Sequence, residues 1–243
     1  MYERPDVPKS SPNRNKVAVC VLVLIAVTAF VLVSALWRLA NVNSALGSSD
    51  VGQALASATS SADVAQQLAD ASGATVTGDE VETVLFVVQS GADSSQAGAL
   101  FLASMDSTQG AAKLVFLAPT ATLPSADGPV ALTDLYGKDG LEGLATALAA
   151  SSAVPVSHAV TWTQDGWNAF LDTAQKGSSA LKTNATKLIG GIVSSDLDAA
   201  ELLDVAQRAV SMGIGSEDIT DAPVADDGSL DAAGLARLVG VLA

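Results

Sequence analysis

Val17 to Trp37, VAVCVLVLIAVTAFVLVSALW, is twenty-one residues long and carries no charge. At roughly 1.5 Å per residue a helix of that length measures about 30 Å, the thickness of a bilayer's hydrocarbon core. The run holds no Pro or Gly, and Trp37 closes it, where an indole suits the interface. Arg4, Lys9, Arg14 and Lys16 precede it, whereas only Arg38 follows before Lys113. The positive-inside rule then places residues 1–16 in the cytoplasm, a single transmembrane helix at 17–37 and the remainder outside the cell membrane. A cleaved signal peptide is the competing reading, with Ser34 and Ala35 as small residues for cleavage, but its apolar region normally spans only about 7–15 residues. Cys20 is the only cysteine, so no intramolecular disulfide can hold the exported part together. At the start of the apolar run it reads as a small hydrophobe in lipid.

Charge is unevenly divided. Residues 39–243 carry seven basic and twenty-four acidic side chains, a net of −17. An exterior this acidic argues against nucleic acid, whose phosphates need Lys and Arg, and against an anionic lipid surface. Its simplest role is solubility.

The exported part begins with a segment, residues 38–80, rich in Ala, Ser, Gln and Asp. Val51, Leu55, Val64 and Leu68 recur there at loose helical spacing, which predicts a helical stalk or a linker. The globular pattern occupies 81–243. Thr83–Val88 is a continuous β-prone run, as a buried strand should be. Ala99–Met105 and Lys113–Leu117 flank the turn Asp106–Gly110 and pair as a hairpin. Asp139–Ser151 predicts a helix, His158–Thr163 a strand and Asp165–Ala174 a helix. Leu181–Val193 and Leu197–Met212 predict two more helices, the second capped by Asp196 or Asp198. Ile219 begins a short extended piece, and Leu230–Leu242 is a closing helix. Strands alternating with helices indicate an α/β fold, a three-layer α/β/α domain with a mixed central sheet.

Three segments in this order resemble the LytR-CpsA-Psr (LCP) domain of bacterial cell envelopes. Phe101–Thr122, FLASMDSTQGAAKLVFLAPTAT, is similar to that family's hairpin leading into Ser-Ile-Pro-Arg-Asp. Val154–Thr173, VPVSHAVTWTQDGWNAFLDT, is similar to its Pro, Asp-His, strand, and helix with Gly and an aromatic. Ile192–Asp221 resembles its late helix and strand. The likeness covers about 150 residues. It implies a domain that holds a polyprenyl-pyrophosphate-linked glycan, with arginines on the phosphates, acids on a divalent metal such as Mg and the lipid in an apolar tunnel. Guanidinium forks match phosphate oxygens and stay charged, so the chemistry is coherent.

The departures from that pattern bear on function. The family's Arg-Ser-Asp-Thr falls on Gln96, Ala97, Gly98 and Ala99, and its Pro-Arg-Asp on Pro119, Thr120 and Ala121. Its Lys-Ile-Asn falls near Ala131, Leu132 and Thr133, with Asp134 next, and a later arginine-rich block has no room between Ala174 and Ser194. Asp93, Gln96, Thr120 and Asp134 are therefore the ligand-binding candidates, with Asp93 and Asp134 the conceivable metal pair. The plainer reading makes Asp93 a loop residue and Asp134 a helix cap. Losing one well-placed charge typically costs about 10²–10³ in rate, and here several are gone. His158, the only histidine, is the one possible base for a Ser-His-Asp triad, and its place before a strand reads as structural. Trp162, Trp167 and Phe170 could line a glycan or lipid surface but read first as core, and Gly190-Gly191 as a helix interruption. Asn184-Ala185-Thr186 fits a glycosylation acceptor that a bacterial resemblance leaves without meaning.

Three expectations follow. The first is a non-catalytic, membrane-anchored accessory or regulatory protein of cell wall glycopolymer assembly, partnered by another envelope protein. The second is a phosphotransferase that attaches lipid-linked glycopolymers to peptidoglycan. The third is a polyprenyl-lipid-binding module. A pocket above Gln96, Thr120 and Asp134 reached by Lys138 or Lys182 would favour the second, and absence of an apolar cavity would exclude the third.

Overall fold

A computed structural model describes residues 46–57, 62–89, 96–125, 128–214 and 219–243. The apolar run at 17–37 lies outside these residues. Among those described, no helix is long and apolar enough to cross a membrane.

The sheet grows from β1 (Val81–Gln89), whose last seven residues are all buried. β2 (Ala97–Asp106) pairs antiparallel with it, from Val81 opposite Asp106 to Gln89 opposite Ala97. β3 (Ala111–Leu117) continues antiparallel as the expected hairpin, Leu100 opposite Leu117. The turn between them is fixed by Asp106, whose Oδ1 accepts from Gln109 N–H at 2.8 Å, and by Gly110 at φ 65°. Two strands, β4 (Thr122–Leu123) and β5 (Val130–Ala131), form a separate ribbon. β6 (His158–Thr163) lies parallel to β1 on the other side, Val84 opposite His158. β7 (Ile192–Ser195) adds antiparallel to β6, and β8 (Ile219–Asp221) parallel to β3. The strand order is β7-β6-β1-β2-β3-β8, a mixed six-stranded sheet.

Alternation along the strands divides the core in two. Leu85, Val87, Leu100, Leu102 and Val115 face one way, packed with Leu132, Leu144, Leu148 and Leu235 from the helices. Val84, Phe86, Val88, Phe101 and Met105 face the other, packed with Trp167, Phe170, Leu181 and Val205. The first helical layer contains α1 (Ser49–Ser57), α2 (Ala62–Ser72), α3 (Leu132–Ser152) and α7 (Ala232–Val239). The second contains α4 (Gln164–Ala174), α5 (Ser178–Ile189) and α6 (Ala199–Ser211). The three-layer α/β/α architecture is thus present, and each large apolar side chain buried in it contributes about 1.5–3 kcal/mol.

Several expected boundaries move. Residues 46–57 and 62–80 are not a stalk; they form one compact unit with the rest of the domain. α1 and α2 pack on α3, Leu55 and Ala69 are buried, and Gly47 and Ser48 donate to the carbonyls of Leu197 and Ser195. Thr75 and Thr77 bond the C-terminal segment at Ala243 and Val241. The helix expected from Asp139 begins seven residues earlier, at Leu132, and bends at Gly140 (φ 68°, ψ −161°), a conformation that needs glycine. The helix expected over Leu181–Val193 stops at Ile189, and Ile192 and Val193 enter β7 instead. The closing helix ends at Val239 because Gly240 takes the left-handed C-cap conformation.

Gly190-Gly191 does interrupt that helix, and Gly191 has a tighter constraint. A Cβ on Gly191 would lie 2.4 Å from Gly166 Cα, and one on Gly166 would lie 2.6 Å from Gly191 Cα. The start of α4 and the turn into β7 therefore touch backbone to backbone, with no flexible side chain to yield. Gly166→Ala and Gly191→Ala should each cost about 2–3 kcal/mol by overpacking. Urea unfolding checks this as a lowered midpoint with an unchanged slope; an unchanged midpoint contradicts the contact.

Candidate functional site

In open α/β sheets ligands bind beyond the carboxyl ends of the parallel strands. Here those ends are Gln89 of β1 and Thr163 of β6. Gln89 faces the α3 layer and is 6 % exposed. Its Nε2 donates to Tyr136 Oη at 2.6 Å, while its Oε1 has no hydrogen-bond partner. Either assignment of the amide leaves one end unsatisfied, in a place where burial makes that costly.

The first turn of α3 stands beside this pair. Its N-cap, Ala131, has no side chain that can accept, so the preceding turn supplies carbonyls: Leu132 N–H donates to Ala121 O at 3.0 Å and Thr133 N–H to Pro119 O at 3.1 Å. Asp134 is the third helical residue, not the cap, and its carboxylate sits at the positive end of the helix. Gln96, Thr133, Asp134, Gly137 and Lys138 line an open depression of ≈370 Å³. Two predicted residues, Gln96 and Asp134, are thus brought together. Thr120 is exposed on the capping turn and is not part of that lining, and Asp93 lies outside the described residues. Lys138 reaches the depression, whereas Lys182 is on α5, on the opposite face of the sheet. Among the described residues no cluster of three or more His, Cys, Asp or Glu side chains could hold a metal ion.

Among the described residues no arginine enters this depression. Arg237 donates to Ser72 O at 3.1 Å, and Arg208 forks onto Glu82 at 2.6 and 3.0 Å on the opposite face of the sheet from the depression. A lone ammonium beside one exposed carboxylate is a point charge, without the bidentate grip a pyrophosphate calls for.

The other face of the sheet carries a second feature, an apolar slot between the strands and α4–α6. Val84 and Phe86 of β1 and Trp162 of β6 form its floor; Leu181 of α5 and Leu202 and Ala206 of α6 are among its walls. Its cavity volume is ≈40 Å³, room for about one or two waters by volume, yet no polar surface lines it to hold them. The expected core aromatics are here: Trp167 stacks on Phe101 at 4.7 Å and on Phe170 at 5.5 Å, and Trp162 lies 5.5 Å from Phe170. Trp162 and Phe170 belong both to this core and to the slot lining. The indole N–H of Trp162 has no hydrogen-bond partner.

His158 faces the same side at the start of β6. Its Nδ1 is 2.8 Å from Asp196 Oδ2 and its Nε2 is 3.6 Å from Glu82 Oε1. Both ring nitrogens therefore face carboxylates, an arrangement for holding a charge and not for activating a serine. Asp198, not Asp196, caps α6, in a capping box with Glu201. Asp196 serves His158 instead, and its Oδ1 accepts from Ala159 N–H at 2.8 Å.

No protein-family model and no curated protein sequence matches this chain. Solved structures do. The LytR-Csp2A-Psr enzyme from Actinomyces oris aligns with TM-score 0.50 at 14 % identity, over 69 % of this chain and 93 % of that one. The domain is LCP-like in fold. B. subtilis TagV aligns at TM-score 0.49 and 11 % identity, over 67 % and 96 % of the two chains. YwtF (TagT), solved with bound octaprenyl pyrophosphate lipid, aligns at TM-score 0.45 and 10 % identity, over 67 % and 88 %.

Two outcomes follow from this geometry. Tyr136→Phe leaves Gln89 without its remaining side-chain partner and should cost about 1–2 kcal/mol in urea unfolding; an unchanged midpoint would mean the pair contributes nothing. The hydrogen bond that His158 donates to Asp196 raises the pKa of His158 above 6.5, burial opposes it, and the charges of Asp196, Glu82 and Glu201 add to it. A raised folded value stabilises in full below the unfolded pKa of 6.5 and is lost as pH rises through the folded value. His158→Gln should therefore lie about 1 kcal/mol below the parent at pH 6, with the gap closing at higher pH. A gap that widens with pH would reverse the assignment.

Proposed function

We propose that this LCP-like domain binds an apolar chain of polyprenyl type without transferring its phosphate. It acts as an accessory module of cell envelope glycopolymer assembly, tethered by residues 17–37 with the domain outside the membrane. The observation that carries the reading is the pairing of an apolar slot on one face with an arginine-free site on the other. The slot presents no polar lining, and its lining includes the small side chains of Ala103, Ala185, Ala206 and Ala209, so that an apolar chain entering as the wall withdraws would meet apolar surface alone. The depression at Gln96 and Asp134 offers one ammonium and one carboxylate, both on exposed residues. Phosphoryl transfer depends on preorganised charge in a dry site, and an open surface with a single cation supplies neither.

A second reading rests on Lys138. It shares the depression with Asp134, so a phosphotransferase using that lysine on the phosphates and that acid on a divalent metal such as Mg is the alternative.

Geranylgeranyl pyrophosphate titrated into the full chain in detergent separates the two. Tryptophan emission should change on binding, and Ala206→Phe should weaken that binding about tenfold by filling the slot. No emission change overturns the slot. With Mg²⁺ present, phosphate release should stay at background. Release above background that Lys138→Ala abolishes overturns the non-catalytic half and establishes the second reading.

A further inference from the structure

We propose that Glu82, His158, Asp196 and Arg208 form an ionic latch that holds α6 closed over the apolar slot. The latch, as a device with a purpose, rests on the reading of the slot as a binding site. Four places in the fold contribute one group each: β1, the start of β6, the connection from β7 and the last turn of α6. Arg208 forks onto both oxygens of Glu82; one of these oxygens also faces His158, whose other nitrogen meets Asp196. Asp196 is itself fixed to the β6 backbone through Ala159 N–H. Both ends of α6 are thereby tied to the sheet, the first through the Asp196 segment that leads into its cap and the last through Arg208.

The tie acts where the slot is walled. Arg208 lies between Val205 and Ala209, both of which line the slot, and Glu82 points to the same sheet face as Val84 two residues on. A cavity of ≈40 Å³ cannot hold a long chain, so occupation requires the α5–α6 wall to withdraw. α6 meets the slot with Leu202, Leu203 and Val205 and with the small side chains of Ala199, Ala206 and Ala209, so its wall is apolar throughout. The charged clasp adds to that wall the part of the closure that depends on charge.

Charge counting gives the clasp its switch. Glu82 from β1 and Asp196 from the β7 connection face His158, with Glu201 from the first turn of α6 acting at longer range; Arg208 from α6 lies across Glu82, with Asp204 bonded to its Nε. With His158 protonated, two cations meet the two inner carboxylates. With His158 neutral, Arg208 still holds Glu82, but Asp196, which leads into the α6 cap, faces an uncharged ring, and the link between β6 and β1 loses its charge. The hydrogen bond to Asp196 favours the protonated ring, so loosening belongs to neutral and higher pH.

Amide hydrogen exchange of the full chain, reconstituted in phosphatidylcholine nanodiscs without added lipid ligand, tests this. Protection factors for residues 199–211 should fall about tenfold between pH 6 and pH 8, while those of β2 stay constant. His158→Gln should show the low value at both pH values, and His158→Lys the high value at both. Protection of α6 that ignores pH, or a loss shared equally by β2, overturns the latch; the parent comparison alone decides if a variant fails to fold. Failure here leaves the slot reading standing, because that reading fails on its own measurement, the absence of geranylgeranyl pyrophosphate binding.

Discussion

β1 is buried on both faces along seven consecutive residues, and most of the architecture follows from that burial. A strand with apolar side chains above and below needs cover on both sides, so helices must occupy two layers. Its neighbours are set by the same demand. β2 and β6, the strands that flank it, are themselves buried over most of their length, which leaves the edges to the short strands β7 and β8. Short edges are a common way of avoiding unwanted pairing between sheets. The two ends of β1 then acquire different roles. Glu82, near its start, stays partly exposed and takes Arg208; Gln89, at its end, is buried with half of its amide unpaired.

The scarcity of cations gives each one weight. The domain carries few basic residues against many acids, and its two arginines are both engaged in holding elements together, Arg208 on β1 and Arg237 on the end of α2. Lys113 likewise donates to Leu238 O at the end of α7. An acidic chain gains less from one more exposed carboxylate than from a cation that satisfies a carbonyl or a buried-side acid. Allocation of both arginines to structure and the single lysine at the depression beside Gln96 are two aspects of the same composition.

Strands β1, β2, β3 and β6 were legible because continuous apolar runs between turn residues have few other solutions. β7 was not: Ile192 and Val193 extend the helical spacing of Leu181 and Leu188, and although Gly190-Gly191 marks a break, the contact of Gly191 with Gly166, twenty-five residues apart in the chain, leaves no sign in the sequence. α1 and α2 read as a stalk because much of what they bury is alanine, Ala65 and Ala69, which carries almost no amphipathic signal. At the site, resemblance located Gln96 and Asp134 but also Thr120, which belongs to the turn that caps α3. The Gln89–Tyr136 pair left no trace in the sequence, since a glutamine closing an apolar strand looks like the strand's polar end, and its partner is forty-seven residues away.

The slot and the clasp make opposite demands on α6. A tight apolar wall favours closure by excluding water, and its small side chains also leave the narrow channel that prevents full adhesion. A hydrophobic seal alone would respond weakly to pH, because burial free energy hardly changes with it. A charge pair alone would contribute only about a kilocalorie per mole at a half-exposed site. Placed together, the weak pair adds a charge-dependent contribution to a wall whose apolar contacts do not respond to pH. That placement, in the last turn of α6 between Val205 and Ala209 that line the slot, is why the four groups read as control of the slot and not as surface decoration.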